Sequence, residues 1–465
     1  EKARANGYKD AARVHEPYEG GEGEDEVEFW ARYAWVEQFC QFYDLWGRVF
    51  LSKLSFSIRY PHAGNGIFTN KNAAAYYLHD TERRTVVKRV TYRPGAGQLI
   101  HEGEDLVLNM WNPGPIWSGD WDMSKEVNEG DITPYMKLID HLYPDDRERG
   151  LLLDWLAFQL QHPGVKCSWH PVIGGIQGIG KDSLVEPVIQ GIGQVNSKSI
   201  LPSDLQGNFS EWKASTQLLV IQEMNNFARK ETMDTIKPLL AAPPHELSVN
   251  PKYVEKYYVP NILNCVFFTN HRDAIALENG DRRFFVLWSE AQPLSDTFYT
   301  AYYGWLNEGG GAADVCRYLL QRDLSRFNPT EHAPHTQAKD EMRDATRSPL
   351  SSVLKEAVES RDGMFENRDL FTWNELEAWA KSNVPWGVKC TSNTVKKALD
   401  DIEGERLGRF RVDPEQKNTQ RSIWAVRNMK RYRSMGPQGA GMEYLEQLDQ
   451  ATKDSGVFNG SGGSK

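Results

Sequence analysis

The stretch Gly174-Gly175-Ile176-Gln177-Gly178-Ile179-Gly180-Lys181-Asp182-Ser183 constrains this chain more than any other. An apolar run, Pro171-Val172-Ile173, enters it and Leu184-Val185 leaves it with helical character, so the order is strand, glycine-rich turn, helix. Glycines let successive backbone N–H groups face one anion, and a helix that follows adds the positive end of its dipole. The spacing Gly175-x4-Gly180-Lys181 is that of a P-loop, with Lys181 reaching the outer phosphates of a nucleoside triphosphate. The expected ATP contacts are Gln177, Gly178, Ile179, Gly180, Lys181, Asp182 and Ser183. Asp182 departs from the pattern: it stands where a Ser or Thr normally holds Mg²⁺, and the hydroxyl comes one place later at Ser183. Taken alone, the loop also fits a plain turn between strand and helix.

Binding becomes hydrolysis when a carboxylate on a neighbouring strand orients water and helps hold the metal. Leu218-Leu219-Val220-Ile221 reads as a buried strand that ends in Gln222-Glu223, which places Glu223 where open α/β sheets bind ligands. Glu223 is the expected activator of water, and Asp182, Ser183 and Glu223 are the expected metal ligands. Gln222 holds the place of a second acid and offers only a neutral carbonyl. A third strand, Cys265 to Thr269, ends in Asn270, which suits a sensor of the γ-phosphate. Asp281-Arg282-Arg283 then precedes the strand Phe284 to Trp288. Either arginine can serve as a finger that stabilises charge on a phosphoryl group in a neighbouring subunit.

Between the acid and Asn270, two β-type arms in 245–260 flank Asn250-Pro251-Lys252, a hairpin with a basic, aromatic tip. Lys252, Tyr253 and Lys256 offer phosphate contact and base stacking to DNA.

Composition decides what else the chain holds. Its 465 residues exceed one core and suggest about three domains. Residues 1–26 are rich in Gly and Glu and read as a flexible acidic tail, with order beginning near Val27. An N-terminal α+β region spans 27–130: the aromatics of 29–36 have helical spacing, 48–60 is strand-like, and short alternating runs such as Thr85 to Tyr92 follow. Asp120-x-Asp122 reads as a solvated loop. Arg149 to Gln161 reads as a helix buried on more than one side, ended by His162-Pro163-Gly164. The core, 131–328, alternates strand and helix, which implies a mostly parallel sheet. No apolar run approaches the ~20 residues of a membrane span. Five scattered cysteines make neither a zinc site nor a disulfide framework, which fits a reducing cytoplasm. The first residue is Glu1, which suggests that an upstream domain precedes it.

The order of motifs, P-loop, strand ending in Glu223, basic hairpin, strand ending in Asn270, then Arg282-Arg283, resembles the superfamily 3 helicases. It is most similar to the helicase part of phage and plasmid primase-helicases related to the poxvirus primase-helicase. Leu108-Asn109-Met110-Trp111, Leu153-Asp154-Trp155-Leu156-Ala157 and Gln161-His162-Pro163-Gly164-Val165-Lys166 add to the likeness, which covers roughly residues 100–345. The resemblance implies an AAA+ core that assembles as a ring, usually a hexamer, with ATP and Mg²⁺ at subunit interfaces. It implies Lys181 on phosphates, Glu223 on water, Asn270 as sensor, Arg282 or Arg283 acting in trans, and Lys252 with Lys256 gripping one DNA strand. It also implies 3′ to 5′ travel on single-stranded or forked DNA, an upstream primase or polymerase domain, and, for a phage protein, the host cytoplasm.

Residues 329–349 are polar and Pro-punctuated, a linker. In 350–433 three helical patterns and two strands, Arg406 to Val412 and Arg421 to Arg427, resemble a winged helix; Thr372-x-x-Glu375 opens its second helix and Ser392 can cap its third. Lys396 and Lys397 would face a DNA groove and Arg409 and Arg411 would lie in the wing, although winged helices also mediate protein contacts. The chain as a whole carries a net charge of −10, yet Lys389 to Arg433 holds twelve Lys/Arg against six Asp/Glu, a local surplus suited to nucleic acid. Residues 434–465 are Gly-rich and read as a flexible tail.

The leading expectation is an ATP-driven, ring-forming DNA helicase of a mobile element. An ATP-switched initiator or loader that unwinds poorly is the second, favoured by Gln222. A small-molecule P-loop kinase is the third, and Asn270, the arginine pair and the basic module count against it.

Overall fold

The computed structural model describes residues 26–59, 73–128, 130–205, 207, 210–222, 230–241, 245–252, 255–411 and 420–454. The acidic stretch 1–25 and the Gly/Ser end 455–465 lie outside the described residues. The chain divides into two units, residues 1–274 with 282–339, and residues 275–281 with 340–465.

In the first unit, the helix predicted over 29–36 stops at Arg32. Tyr33, Trp35 and Val36 are aromatic or β-branched and serve instead in a central strand. Strands β1 (Tyr33–Val36), β2 (Gln41–Asp44), β3 (Val49–Leu51) and β4 (Thr85–Val87) form a sheet in the order β3-β2-β1-β4. The strand expected over 48–60 is also cut short. Ser52 Oγ accepts the Ser55 N–H at 3.0 Å and starts the helix Lys53–Arg59, which stacks Phe56 on Phe42 with centroids 3.9 Å apart. Strands β5 (Val90–Thr91), β6 (Leu99–Glu102) and β7 (Asp105–Asn109) make a second sheet in the order β5-β7-β6. Asp120 and Asp122 bond to Ser118 and Ser124 in an exposed loop.

At the end of β2, Asp44 is fully buried between Arg32 at 3.0 Å and Arg59 at 2.8 Å. Burial pushes its carboxyl up, but hydrogen bonds from Arg32, Gly47 N–H and Arg59 together hold it below its ordinary value.

The core sheet comprises β8 (His170–Gly175), β9 (Ser197–Ile200) and β10 (Leu218–Ile221), then, after the hairpin strands β11 (Glu246–Val249) and β12 (Tyr257–Pro260), β13 (Asn264–Thr269) and β14 (Phe284–Ser289). All five core strands run parallel, in the order β14-β8-β13-β10-β9. The apolar runs of β10, β13 and β14 reflect burial on both faces, as expected for a parallel sheet, whereas the edge strand β9, Ser197-Lys198-Ser199-Ile200, is polar and only partly buried. Helix Asp146–Gln161, capped by Asp145 onto Glu148 N–H, buries every residue from Leu152 to Leu160 except Asp154. Inside it, Gln159 ties down the starts of two strands: its Oε1 accepts from Asn264 Nδ2 at 2.9 Å and its carbonyl from Gln217 Nε2 at 2.7 Å.

The stretch predicted as a linker is only partly one. Thr336 donates to Val286 O within the first unit, and Gln337–Ala345 is helical.

The second unit holds helices Pro349–Ser360, Trp373–Asn383 and Ser392–Asp401 around an antiparallel sheet of β15 (Leu370–Thr372), β16 (Glu405–Arg411) and β17 (Gln420–Ala425), in the order β15-β17-β16. Thr372 and Glu375 form the expected capping box. The third helix is capped by Thr391 rather than Ser392, whose hydroxyl donates to Glu377 instead. The expected tail is helical from Met429 to Asp454, broken at Gly436 (φ 66°), and packs Tyr444, Leu445 and Leu448 on Phe410 and Ile423. Gly441 permits the approach, since a Cβ there would lie 2.0 Å from Phe410 Cγ.

Arg32→Ala leaves a buried carboxylate with a single guanidinium partner. The expected loss is about 3 kcal/mol of stability at neutral pH, read from the urea midpoint. Because the Asp44 pKa is depressed, the pair stabilises fully above the ordinary aspartate value and ceases to do so as pH falls through the folded one, so the gap between variant and parent should close in acid.

Candidate functional site

From β8 the chain runs to the far edge of the sheet, returns through β10 and β13, then steps across β8 to β14. The connections after β8 and β13 therefore leave in opposite directions, and a crevice opens beyond their carboxyl ends, where such sheets bind ligands. A cavity of about 420 Å³ lies there, lined by residues of the glycine-rich loop, Gln222, Asn270, Tyr299 and Tyr303.

The loop needs its glycines. Gly178 and Gly180 have φ of 83° and 84°, and a Cβ on Gly175 would meet Ile179 Cδ1 at 2.7 Å. Ile179 is fully buried in the core, so its side chain anchors the loop and only its backbone is available to a ligand. The helix expected to follow at once is delayed: Asp182–Leu184 is one turn of 3-10 helix, and the α-helix spans only Glu186–Ile192, with Pro187 in its first turn.

Lys181 is nearly buried, and its Nζ donates to Gly175 O, Ile176 O and Asn270 Oδ1, each at 2.7 Å. Burial lowers its pKa and Asp182 pulls it back up. Asp182 is exposed at the cavity; desolvation raises its carboxyl and Lys181 lowers it. Ser183 is buried, with Oγ 2.7 Å from Tyr303 Oη. Tyr299 and Tyr303, one turn apart on helix Asp296–Asn307, wall the cavity. Sequence reasoning missed both, because nothing local links a helix after β14 to the loop after β8. Glu223 and Tyr253 lie outside the described residues.

Arg282 and Arg283 are not part of this cavity. Arg283 O accepts from His170 N at 2.7 Å, at the opening end of β8 and β14, whereas the cavity lies at the closing end, about 20 Å away along a six-residue strand. Arg282 is exposed. Lys252 and Lys256 are exposed near the hairpin tip, and the chain just after β11 is tied to Ser210 and Glu211: Lys252 N donates to Glu211 Oε1 at 2.7 Å and Asn250 N to Ser210 Oγ at 3.0 Å. This brings Lys213, unnoticed in the sequence, near Lys256; burial first and Lys256 second lower its pKa. In the second unit Lys396, Lys397, Arg409 and Arg411 are all exposed. Among the described residues no cluster of three or more His, Cys, Asp or Glu could hold a metal, and no helix is long and apolar enough to cross a membrane.

Fold and site define a mixed α/β chain with a parallel sheet and a glycine-rich cradle at its crevice. Residues 172–283 match a family described as a family of unknown function, DUF5906. The chain is 25% identical over 297 residues to the DNA primase-polymerase of Nitratiruptor phage NrS-1, covering 63% of this chain and 39% of that protein. The chain thus spans well under half the length of that relative. The apo structure of the NrS-1 C-terminal region shares the fold, with a TM-score of 0.57 at 17% identity over 83% of this chain and 88% of that one. Its A-form apo structure gives 0.55 at 18%, over 80% and 84%.

Asn270→Ala removes one of the three acceptors of Lys181. Stability should fall by about 2 kcal/mol, typical of a hydrogen bond to a charged group, read from the urea midpoint.

Proposed function

We propose that this chain belongs to a phage replication protein and works as its ATP-driven, ring-forming DNA helicase, moving 3′ to 5′ on single-stranded DNA. The observation that carries the reading is the Lys181–Asn270 hydrogen bond at the crevice between β8 and β13. A phosphate entering the cradle gives the ammonium a charged acceptor in place of three neutral ones, which frees Asn270 to engage the γ-phosphate or water. Binding and sensing thus share one contact. Sequence likeness to a phage primase-polymerase supports the replication setting and an upstream primase or polymerase domain, in a host cytoplasm.

Asp182 and Ser183 both line the cavity and offer the oxygen donors that Mg²⁺ takes, so these two residues would hold the ion, without a fuller protein cage. When bound, the ion neutralises charge on the phosphates. Glu223, directly after the cavity-lining Gln222, orients the water. Arg282, exposed at the opposite end of the sheet, acts on the cavity of a neighbouring subunit, in a ring expected to be hexameric. Lys252 and Lys256 hold the DNA strand. The neutral Gln222 at the cavity favours a second reading, an ATP-switched initiator or loader with weak unwinding.

Lys181→Ala should lower ATPase activity at least ~100-fold; unchanged turnover removes the nucleotide assignment. Lys252→Ala should keep ATPase activity while strand displacement on forked DNA is lost. Mixing Glu223→Gln with Arg282→Ala chains should restore part of the ATPase activity, and no recovery at any ratio counts against action in trans.

A further inference from the structure

In the second unit, Pro385-Trp386-Gly387-Val388 makes a tight turn just ahead of helix Ser392–Asp401. Val388 N–H donates to Pro385 O at 3.1 Å, and Gly387 takes φ 83°, the third-position geometry of a type II turn. Trp386 occupies the second position and is fully exposed, at 102% of its reference area. An indole offers roughly 200 Å² of apolar ring, which folded chains ordinarily bury; here a rigid turn holds it out in water. The segment that carries it is basic: from Lys381 to Lys397 the chain holds four lysines and no acid. Lys381 pairs with Glu377 of the preceding helix at 3.5 Å, and Glu377 also accepts from Ser392, so the cations offered to a ligand are Lys389, Lys396 and Lys397, exposed together with Asn393 and Trp386.

We infer that Trp386 stacks on an exposed base face of DNA, at the point where a duplex ends or opens, while the flanking lysines hold its phosphates. This rests on the DNA-binding reading of the second unit. The pairing of features selects the ligand: lysines alone grip any phosphate backbone, whereas a flat aromatic ring needs a π-face, which a closed duplex hides. Trp386 therefore adds structure preference to a contact that is otherwise indifferent to whether the strands are paired. An apolar protein partner would need further uncharged surface, and the segment around Trp386 supplies cations instead.

The test measures full-chain affinity for two labelled DNAs, a fork and a relaxed, covalently closed circular duplex that has neither ends nor loops. Trp386→Ala should weaken fork binding roughly tenfold and leave binding to the circle unchanged, and Trp386→Phe should keep most of the fork affinity. Equal fork affinity in Trp386→Ala, equal losses on both DNAs, or a change in oligomeric mass without a change in DNA affinity each overturn the stacking role. The double variant Lys396→Ala/Lys397→Ala should weaken both DNAs. If it weakens neither, the DNA-binding reading of this unit fails; if it weakens both while Trp386→Ala changes nothing, only the stacking role fails.

Discussion

An ammonium group enclosed by protein must find acceptors, and the way Lys181 finds them organises the first unit. Two are carbonyls of its own loop, which glycine geometry turns inward; the third comes from Asn270 at the end of another strand. All three are neutral, so the cation is solvated but not neutralised. The arrangement requires β8 and β13 to be neighbours, and they are neighbours only because the chain travels to β9 before returning. Strand order and charge at the crevice are therefore one constraint. Gln159 and Asn264 secure the opposite end of the sheet in the same manner, with polar groups satisfied where apolar packing alone would leave register loose.

Features written in short stretches were legible in the sequence. The glycine spacing, the apolar runs of β8, β10, β13 and β14, and the Thr372–Glu375 capping box each depend on neighbours a few residues apart. Features that depend on which elements meet were not. Tyr303 reaches Ser183 across 120 positions, and no periodicity announces it. The distance between the arginine pair and the cavity is set by which end of a strand each occupies, and adjacency in a motif order does not report it. In 29–36 helical spacing of aromatics competed with strand propensity, and pairing on both edges of β1 decided the outcome.

Charge was legible once it was read locally, whereas glycine content misled. The overall acidity hides a run from Lys381 to Lys397 with no carboxylate, because averaging discards location. Glycine after Arg433 suggested an unstructured end, yet Gly436 supplies a break between two helical pieces and Gly441 a close approach to Phe410. A glycine selected for proximity and one selected for mobility look alike until the neighbour is known.

That close approach has a practical corollary for anyone dissecting the protein. The second unit's sheet is roofed by the helix that continues to Asp454, with Tyr444 lying over Phe410. A fragment trimmed just after Arg433 would strip this roof and leave Phe410 and Ile423 wet and prone to self-association, so a soluble excised module should be drawn to include the residues up to Asp454.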